Sequence, residues 1–276
     1  MDNVIGILKQ KNFVTKKKFG QNFITDTNLL NAIVADADIS ENDTVVEIGP
    51  GAGTLTRAIA AKAKRVVAFE IDESLSPVLK ETLTGLDNVQ VVFRDILKVK
   101  PCEIKEIVGE SFKVVANLPY YITSPVLFYF LENDFPLVSL SVMVQKEVAL
   151  RMIADSDTPD YGVLSLAVQS RADAVITRHV SRKMFYPEPN VDSAVVKLTL
   201  NEGVPYRKTF DKLVKAAFAC RRKTLVNNLM QSMGLSRADS ETLLTQAGLD
   251  IRIRGEALSK EHFLILSKIL EEIKIK

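Results

Sequence analysis

Short, nearly unbroken Val/Ile runs, separated by helix-length stretches, most constrain what this chain can fold into. Residues 44–48 (Thr-Val-Val-Glu-Ile), 65–71, 89–93, 112–116 and 137–144 are apolar on successive positions rather than on alternate ones. A strand with one solvated face alternates; a strand of a parallel sheet covered on both faces does not. Helical stretches at 54–62 and 73–83 fall between these runs, and another at 146–153 follows the last of them. The rhythm predicts a doubly wound, Rossmann-like α/β sheet. Two further strand candidates, 174–180 and 193–200, are joined by Met184-Phe185-Tyr186-Pro187-Glu188-Pro189-Asn190 and are expected to pair antiparallel at a sheet edge.

The character changes at Asn201-Glu202-Gly203-Val204-Pro205. Beyond it Phe210, Leu213, Val214 and Ala217, then Leu225, Leu229 and Met233, recur at helical spacing, and Gly234, Gly248 and Gly255 punctuate the pattern. We therefore expect an α/β domain over 1–203 and a small all-helical domain over 204–276. Hydrophobic residues make up 47% of the 276, enough for a core in each. The net charge of +2 excludes a general polycation, so any nucleic-acid surface must come from clustering. Cys102 and Cys220 form no CxxC pair, which argues against disulfides and zinc and for a reducing, cytoplasmic setting. No run is long enough to span a membrane, and lysines interrupt the N-terminus where a signal peptide would be apolar.

In open α/β sheets, ligands bind at the carboxyl ends of the strands. Four candidates fall there in order: the loop Gly49-Pro50-Gly51-Ala52-Gly53, Glu70, Asp95 and Asn117. The glycines let backbone approach a ligand. Glu70, about 20 residues on, is placed to accept both hydroxyls of a ribose. Asp95 is placed to accept from an adenine amino group. A dinucleotide fingerprint needs its last small residue three after the second glycine; here Gly53 comes two after Gly51, which favours S-adenosylmethionine over NAD. Any one of these residues alone is more often a turn or a helix cap. Their joint placement at successive strand ends argues for a site.

Asn117-Leu118-Pro119-Tyr120 directly follows the run 112–116. An adenine N6 amine is a poor nucleophile because its lone pair is delocalised into the ring. Acceptors on both N–H groups, the Asn117 side-chain oxygen and the Leu118 carbonyl, localise that pair and meet the positive charge that forms on nitrogen. Pro119 stiffens the turn. Tyr120 is placed to stack on an extruded base, and Phe185 to close the opposite face. No general base is required, in keeping with only two histidines, His179 and His262, neither near this turn in sequence.

Phe19-Gly20-Gln21-Asn22-Phe23, the glycine loop, Asn117 to Tyr120, Phe185 to Ser193 and Ala219-Cys220-Arg221-Arg222-Lys223-Thr224-Leu225 occur in this order. The set resembles the ribosomal RNA adenine N6,N6-dimethyltransferases, and within them the bacterial branch acting on small-subunit RNA. The resemblance covers nearly the whole chain. It implies donor binding by Asn22, Ile24, Gly49, Glu70, Asp95 and Asn117. It also implies dimethylation of two adjacent adenosines near the 3′ end of small-subunit ribosomal RNA, on an immature small subunit late in assembly, by a monomer. Ile24 departs from the usual leucine, and Pro187-Glu188-Pro189 from three prolines. Two basic clusters, Lys9, Lys11 and Lys16 to Lys18, and Arg207, Lys208, Lys212, Lys215 and Arg221 to Lys223, suit phosphate contacts, although each residue also fits a solvated helix face. Methylation of large-subunit RNA, and a non-catalytic assembly or transcription factor on the same fold, remain the alternatives.

Overall fold

The computed structural model describes residues 6–8, 22–24 and 26–274. The expected contacts of Lys9, Lys11, Lys16 to Lys18 and Phe19 to Gln21 lie outside the described residues. Those residues fall into two compact units, one running to Ala149 and including Val175–Leu200, the other made of Leu150–Ala174 and the chain from Asn201 onward.

The first unit is built on a seven-stranded sheet. Its elements are β1 (Phe23–Ile24), α1 (Thr27–Asp36), β2 (Thr44–Ile48), α2 (Thr54–Ala60), β3 (Arg65–Glu70), α3 (Ser76–Thr82), β4 (Val89–Phe93), α4 (Pro101–Val108), β5 (Phe112–Asn117), α5 (Thr123–Glu132) and β6 (Leu137–Gln145). The chain then runs through α6 (Lys146–Ile153) and, within the second unit, α7 (Val163–Gln169), before β7 (Ala172–Val180), β8 (Phe185–Tyr186) and β9 (Ser193–Leu200). The strand order is β4-β3-β2-β5-β6-β9-β7, with β1 and β8 forming a separate pair. Strands β2 to β6 pair in parallel, and β6 pairs antiparallel with β9. The two late strands thus lie side by side, with β7 at the edge.

The central strands are buried because their residues leave no solvated face. Val45, Val46, Val66, Val67 and Ala68 are wholly inaccessible. Few polar side chains enter the strand interiors, Glu47 of β2 and Ser139 and Ser141 of β6 among them; most stand at strand ends and loops, where Asp26, for example, caps α1 by accepting from the Leu29 N–H at 2.7 Å. Chain order reverses between β2 and β5: β3 and β4 extend the sheet on one side of β2, and β5 and β6 on the other. The crevice at the carboxyl ends of β2 and β5 is therefore the switch point where such sheets hold ligands.

The second unit contains α8 (Arg207–Ala217), α9 (Leu225–Met233), α10 (Arg237–Gln246) and α11 (Lys260–Lys274). Its core joins Phe210, Leu213, Val214, Leu225, Leu229, Leu244, Phe263 and Leu266 to Tyr161 and Leu166 from the segment before β7. The Tyr161 hydroxyl donates to the Leu258 carbonyl at 2.8 Å. Arg171 is buried and donates to both carboxylate oxygens of Asp211, at 2.7 and 2.5 Å. Gly255 marks a turn: a Cβ there would lie 2.6 Å from the Ala217 carbonyl oxygen, so its smallness lets the turn press on α8.

Candidate active site

One cavity opens at the switch point. Asn22, Ile24, Gly49, Gly51, Glu70, Asp95, Asn117, Leu118, Pro119 and Tyr120 all line it. Of the residues singled out from sequence for this site, Ala52 and Gly53 of the glycine loop and Phe185 do not line it. Its other walls include Phe23, Glu47, Thr54, Phe69, Arg94 and Tyr121.

The glycine loop leaves β2 with Gly49, Gly51 and Gly53 all at positive φ, and Gly53 precedes α2. At Gly51, φ is +57° and a Cβ would lie 2.8 Å from Cε1 of Phe23, so the loop and β1 close against each other only without a side chain. The Gly51 N–H donates to Oε2 of Glu70 at 3.1 Å, and the Ile71 and Asp72 N–H groups donate to Oε1 at 2.9 and 2.8 Å. The buried carboxyl is thus fixed by three backbone donors. Burial raises its pKa, and those donors pull it back. Asp95 caps the turn that follows β4, its Oδ1 accepting from the Leu97 N–H at 3.0 Å. Its side chain stays a quarter exposed on the cavity wall.

The turn after β5 is anchored at both ends. The Leu118 N–H donates to the Met143 carbonyl at 3.2 Å. Asn117 Nδ2 donates to the Asn22 carbonyl at 2.9 Å. That bond uses the amide's donor side, and among the described residues nothing donates to its oxygen. Asn117 is therefore oriented as an acceptor, the role its chemistry predicts. The Tyr120 hydroxyl and the Ser193 hydroxyl lie 2.9 Å apart, which ties the turn to the start of β9. Burial raises the Tyr120 pKa, and the phenol stays protonated.

Phe185 stands elsewhere. It is 6% exposed and pairs with Ile24 across the β1–β8 ribbon, packed in the core with Met143, Val180 and Val195. Neighbours along a strand point to opposite faces, so the exposed ring of this motif is Tyr186, the partner of Phe23. Sequence reasoning also passed over Glu47. Its signal was a lone charge inside an otherwise apolar strand, a position that burial alone does not favour. No group of His, Cys, Asp and Glu among the described residues is arranged to hold a metal ion.

Comparison with known proteins fits this geometry. The family model for ribosomal RNA adenine dimethylase matches residues 12–272. The chain is 46% identical over 273 residues to "Ribosomal RNA small subunit methyltransferase A" of Clostridioides difficile, covering 96% of this chain and 93% of that one. It is also 46% identical to the protein of the same name from Enterococcus faecalis, over 97% of this chain and 94% of the other. Among solved structures it is similar to a dimethyladenosine transferase from Plasmodium falciparum, with a TM-score of 0.73 at 27% identity over 91% of this chain and 98% of that one. The 23S rRNA methyltransferase ErmE superposes with a TM-score of 0.68, also at 27% identity, over 90% and 99% of the two chains. With a family model spanning nearly all of it and such relatives along its whole length, this chain belongs to the ribosomal RNA adenine dimethylase family.

Proposed function

We propose that this protein is an S-adenosylmethionine-dependent methyltransferase that converts two adjacent adenosines near the 3′ end of small-subunit ribosomal RNA to N6,N6-dimethyladenosine. It acts in the cytoplasm, as a monomer, on an immature small subunit. The small-subunit relatives at 46% identity favour this substrate over the large-subunit RNA of the 27% identical ErmE.

The cavity suits the donor. Its floor admits no Cβ at Gly51, carboxylates stand at the ends of β3 and β4, and an amide stands at the end of β5. When bound, S-adenosylmethionine supplies an electrophilic methyl group on a positively charged sulfur. Gly49 and Gly51 give the backbone close approach. Glu70 and Asp95 would accept from the ribose hydroxyls and the adenine amine, and Asn22, just before β1, and Ile24, within it, would contribute beside them.

The observation that carries the reading is the Asn117 amide, tied through its nitrogen to the Asn22 carbonyl so that its oxygen is left to accept. That oxygen and the Leu118 carbonyl draw the two N–H groups of a substrate adenine out of the ring plane and so localise the nitrogen lone pair. Both are better matched to the positively charged nitrogen of the transition state than to the planar amine. The proton on nitrogen is acidic once that charge has formed, so it leaves to solvent. Pro119 fixes the turn, and Tyr120 offers its ring to the base, a stack worth about 1–3 kcal/mol. The helical unit, with Lys208, Lys212 and Lys215 spaced along one exposed side of α8, offers charge to RNA phosphates.

The test is transfer from labelled donor to immature small subunits. Wild-type protein should yield N6,N6-dimethyladenosine in the 3′ terminal hairpin. Asn117→Ala should lose about 10²–10³ in rate while donor and subunit binding persist. Near-normal turnover of that variant would overturn the assigned role of the amide. An unlabelled RNA with wild-type protein would overturn the enzymatic reading.

A further inference from the structure

Glu47 lies inside β2 and is 1% exposed. The residues level with it on the flanking strands, Ala68 and Val115, are apolar. Its Oε2 has no hydrogen-bond partner among the described residues, although the side chain lines the same cavity as Gly49, Glu70 and Asn117. A buried carboxylate left without a partner is far costlier than the neutral acid. Burial accordingly pushes Glu47 up to about 8; the Thr56 hydroxyl beside it offsets this in part, and the negative charge of Glu70 adds to it. Among the described residues the surrounding elements supply no compensating cation. Glu70 ends β3, and Arg94 and Asp95 follow β4. Arg94 is engaged with Glu103 at 2.8 Å. Arg57 of α2 turns to the Thr82 carbonyl. Thr54 of α2 and Asn117 of β5 are uncharged.

We propose that Glu47 is a proton-exchanging counter-ion for the positively charged ligand of this cavity, neutral in the free protein and ionised when the ligand's positive charge sits against it. The inference rests on the donor reading given above. The exchange is balanced: the carboxyl O–H releases its proton to solvent, and the new carboxylate matches the incoming positive charge. The cavity therefore takes up a cation without a net change in its own charge. Below pH about 8 the free site must lose a proton to bind, so donor affinity rises with pH, by about tenfold between pH 7 and pH 9. An uncharged adenosine ligand has no such linkage.

The test is titration calorimetry of the full-length protein at pH 7 in two buffers of different protonation enthalpy. S-adenosylmethionine should release close to one proton per site from wild type and almost none from Glu47→Gln. The variant also serves as the blank for the ligand's own amine. Uncharged 5′-deoxy-5′-methylthioadenosine should release none from either protein. Should the variant not fold, S-adenosylhomocysteine, which keeps the amine and lacks the sulfonium charge, is the blank on wild type and should release almost no proton. Buffer-independent heats with wild type, or the same proton count in wild type and variant, would overturn the counter-ion. An absence of any donor binding to wild type would overturn the donor reading itself, and the counter-ion with it.

Discussion

Glu47, inside β2, and Glu70, at the end of the adjacent β3, have different fates, because among the described residues backbone donors hold one and only a hydroxyl meets the other. Three backbone N–H groups converge on Glu70, whereas Glu47 meets apolar strand neighbours and a single hydroxyl. The consequence for stability has a definite sign. Between the ordinary carboxyl value of 4.5 and about 8, the folded chain holds a proton on Glu47 that the unfolded chain has released. Stability from this group is full below about pH 4.5 and is lost as pH rises through about 8, a change of roughly 3–5 kcal/mol. Glu70, also raised, contributes in the same direction. Thermal melts of the ligand-free protein should therefore fall between pH 5 and pH 8, and Glu47→Gln should flatten much of that slope. Parallel curves for wild type and variant would show that the buried acid is already ionised at neutral pH. Gly51 gives a second prediction at this scale. Gly51→Ala forces an L residue to φ +57° and sets its Cβ against Phe23. It should cost about 1–2 kcal/mol of stability from the backbone alone. Displacement of Phe23 should weaken donor binding about tenfold, seen as a lower Tm and a higher Kd.

At the scale of elements, the sheet was legible because buried parallel strands announce themselves by uninterrupted apolar runs. β2 and β4 begin and end where the residue pattern places them, and β3, β5 and β6 do so to within a residue. The carboxyl-end residues followed from that register, since each strand end carried its one polar group into the switch point. What escaped was short or non-local. β1 and β8 are two residues each and are defined by each other across the length of the chain, so no local periodicity marks them. That pairing decides which aromatic of Phe185-Tyr186 faces outward, and a residue list cannot settle a choice of face that one step of register reverses. Nor could sequence show the Tyr120–Ser193 contact, although Ser193 closes the motif that begins at Phe185.

At the scale of the whole molecule, the helical unit draws a segment from the middle of the chain. Residues 150–174 lie between strand-like runs, and only the packing of Tyr161 and Leu166 with Phe210 and Phe263 reveals where they belong. The same packing sorts the basic run that ends the sequence motif. Arg221 donates to the Pro159 and Tyr161 carbonyls at 2.9 and 3.0 Å and lies 3.6 Å from the Glu256 carboxylate. Lys223 reaches the Gln231 side chain at 2.8 Å. Arg222 is exposed and has no partner among the described residues. Three adjacent cations that look equivalent in sequence thus divide into a brace, a local contact and a solvent-facing charge. If the helical unit meets RNA phosphates as proposed, the variants separate. Arg222→Ala should weaken small-subunit binding at low salt and reduce the slope of log K against log salt by about one, with Tm unchanged. Arg221→Ala should instead lower stability by about 1 kcal/mol, because two carbonyls lose a charged donor. Filter binding across a salt series, alongside thermal melts, reads both. An unchanged salt slope for Arg222→Ala would move the phosphate contact to another part of the surface, with Lys208, Lys212 and Lys215 of α8 the next charges to remove.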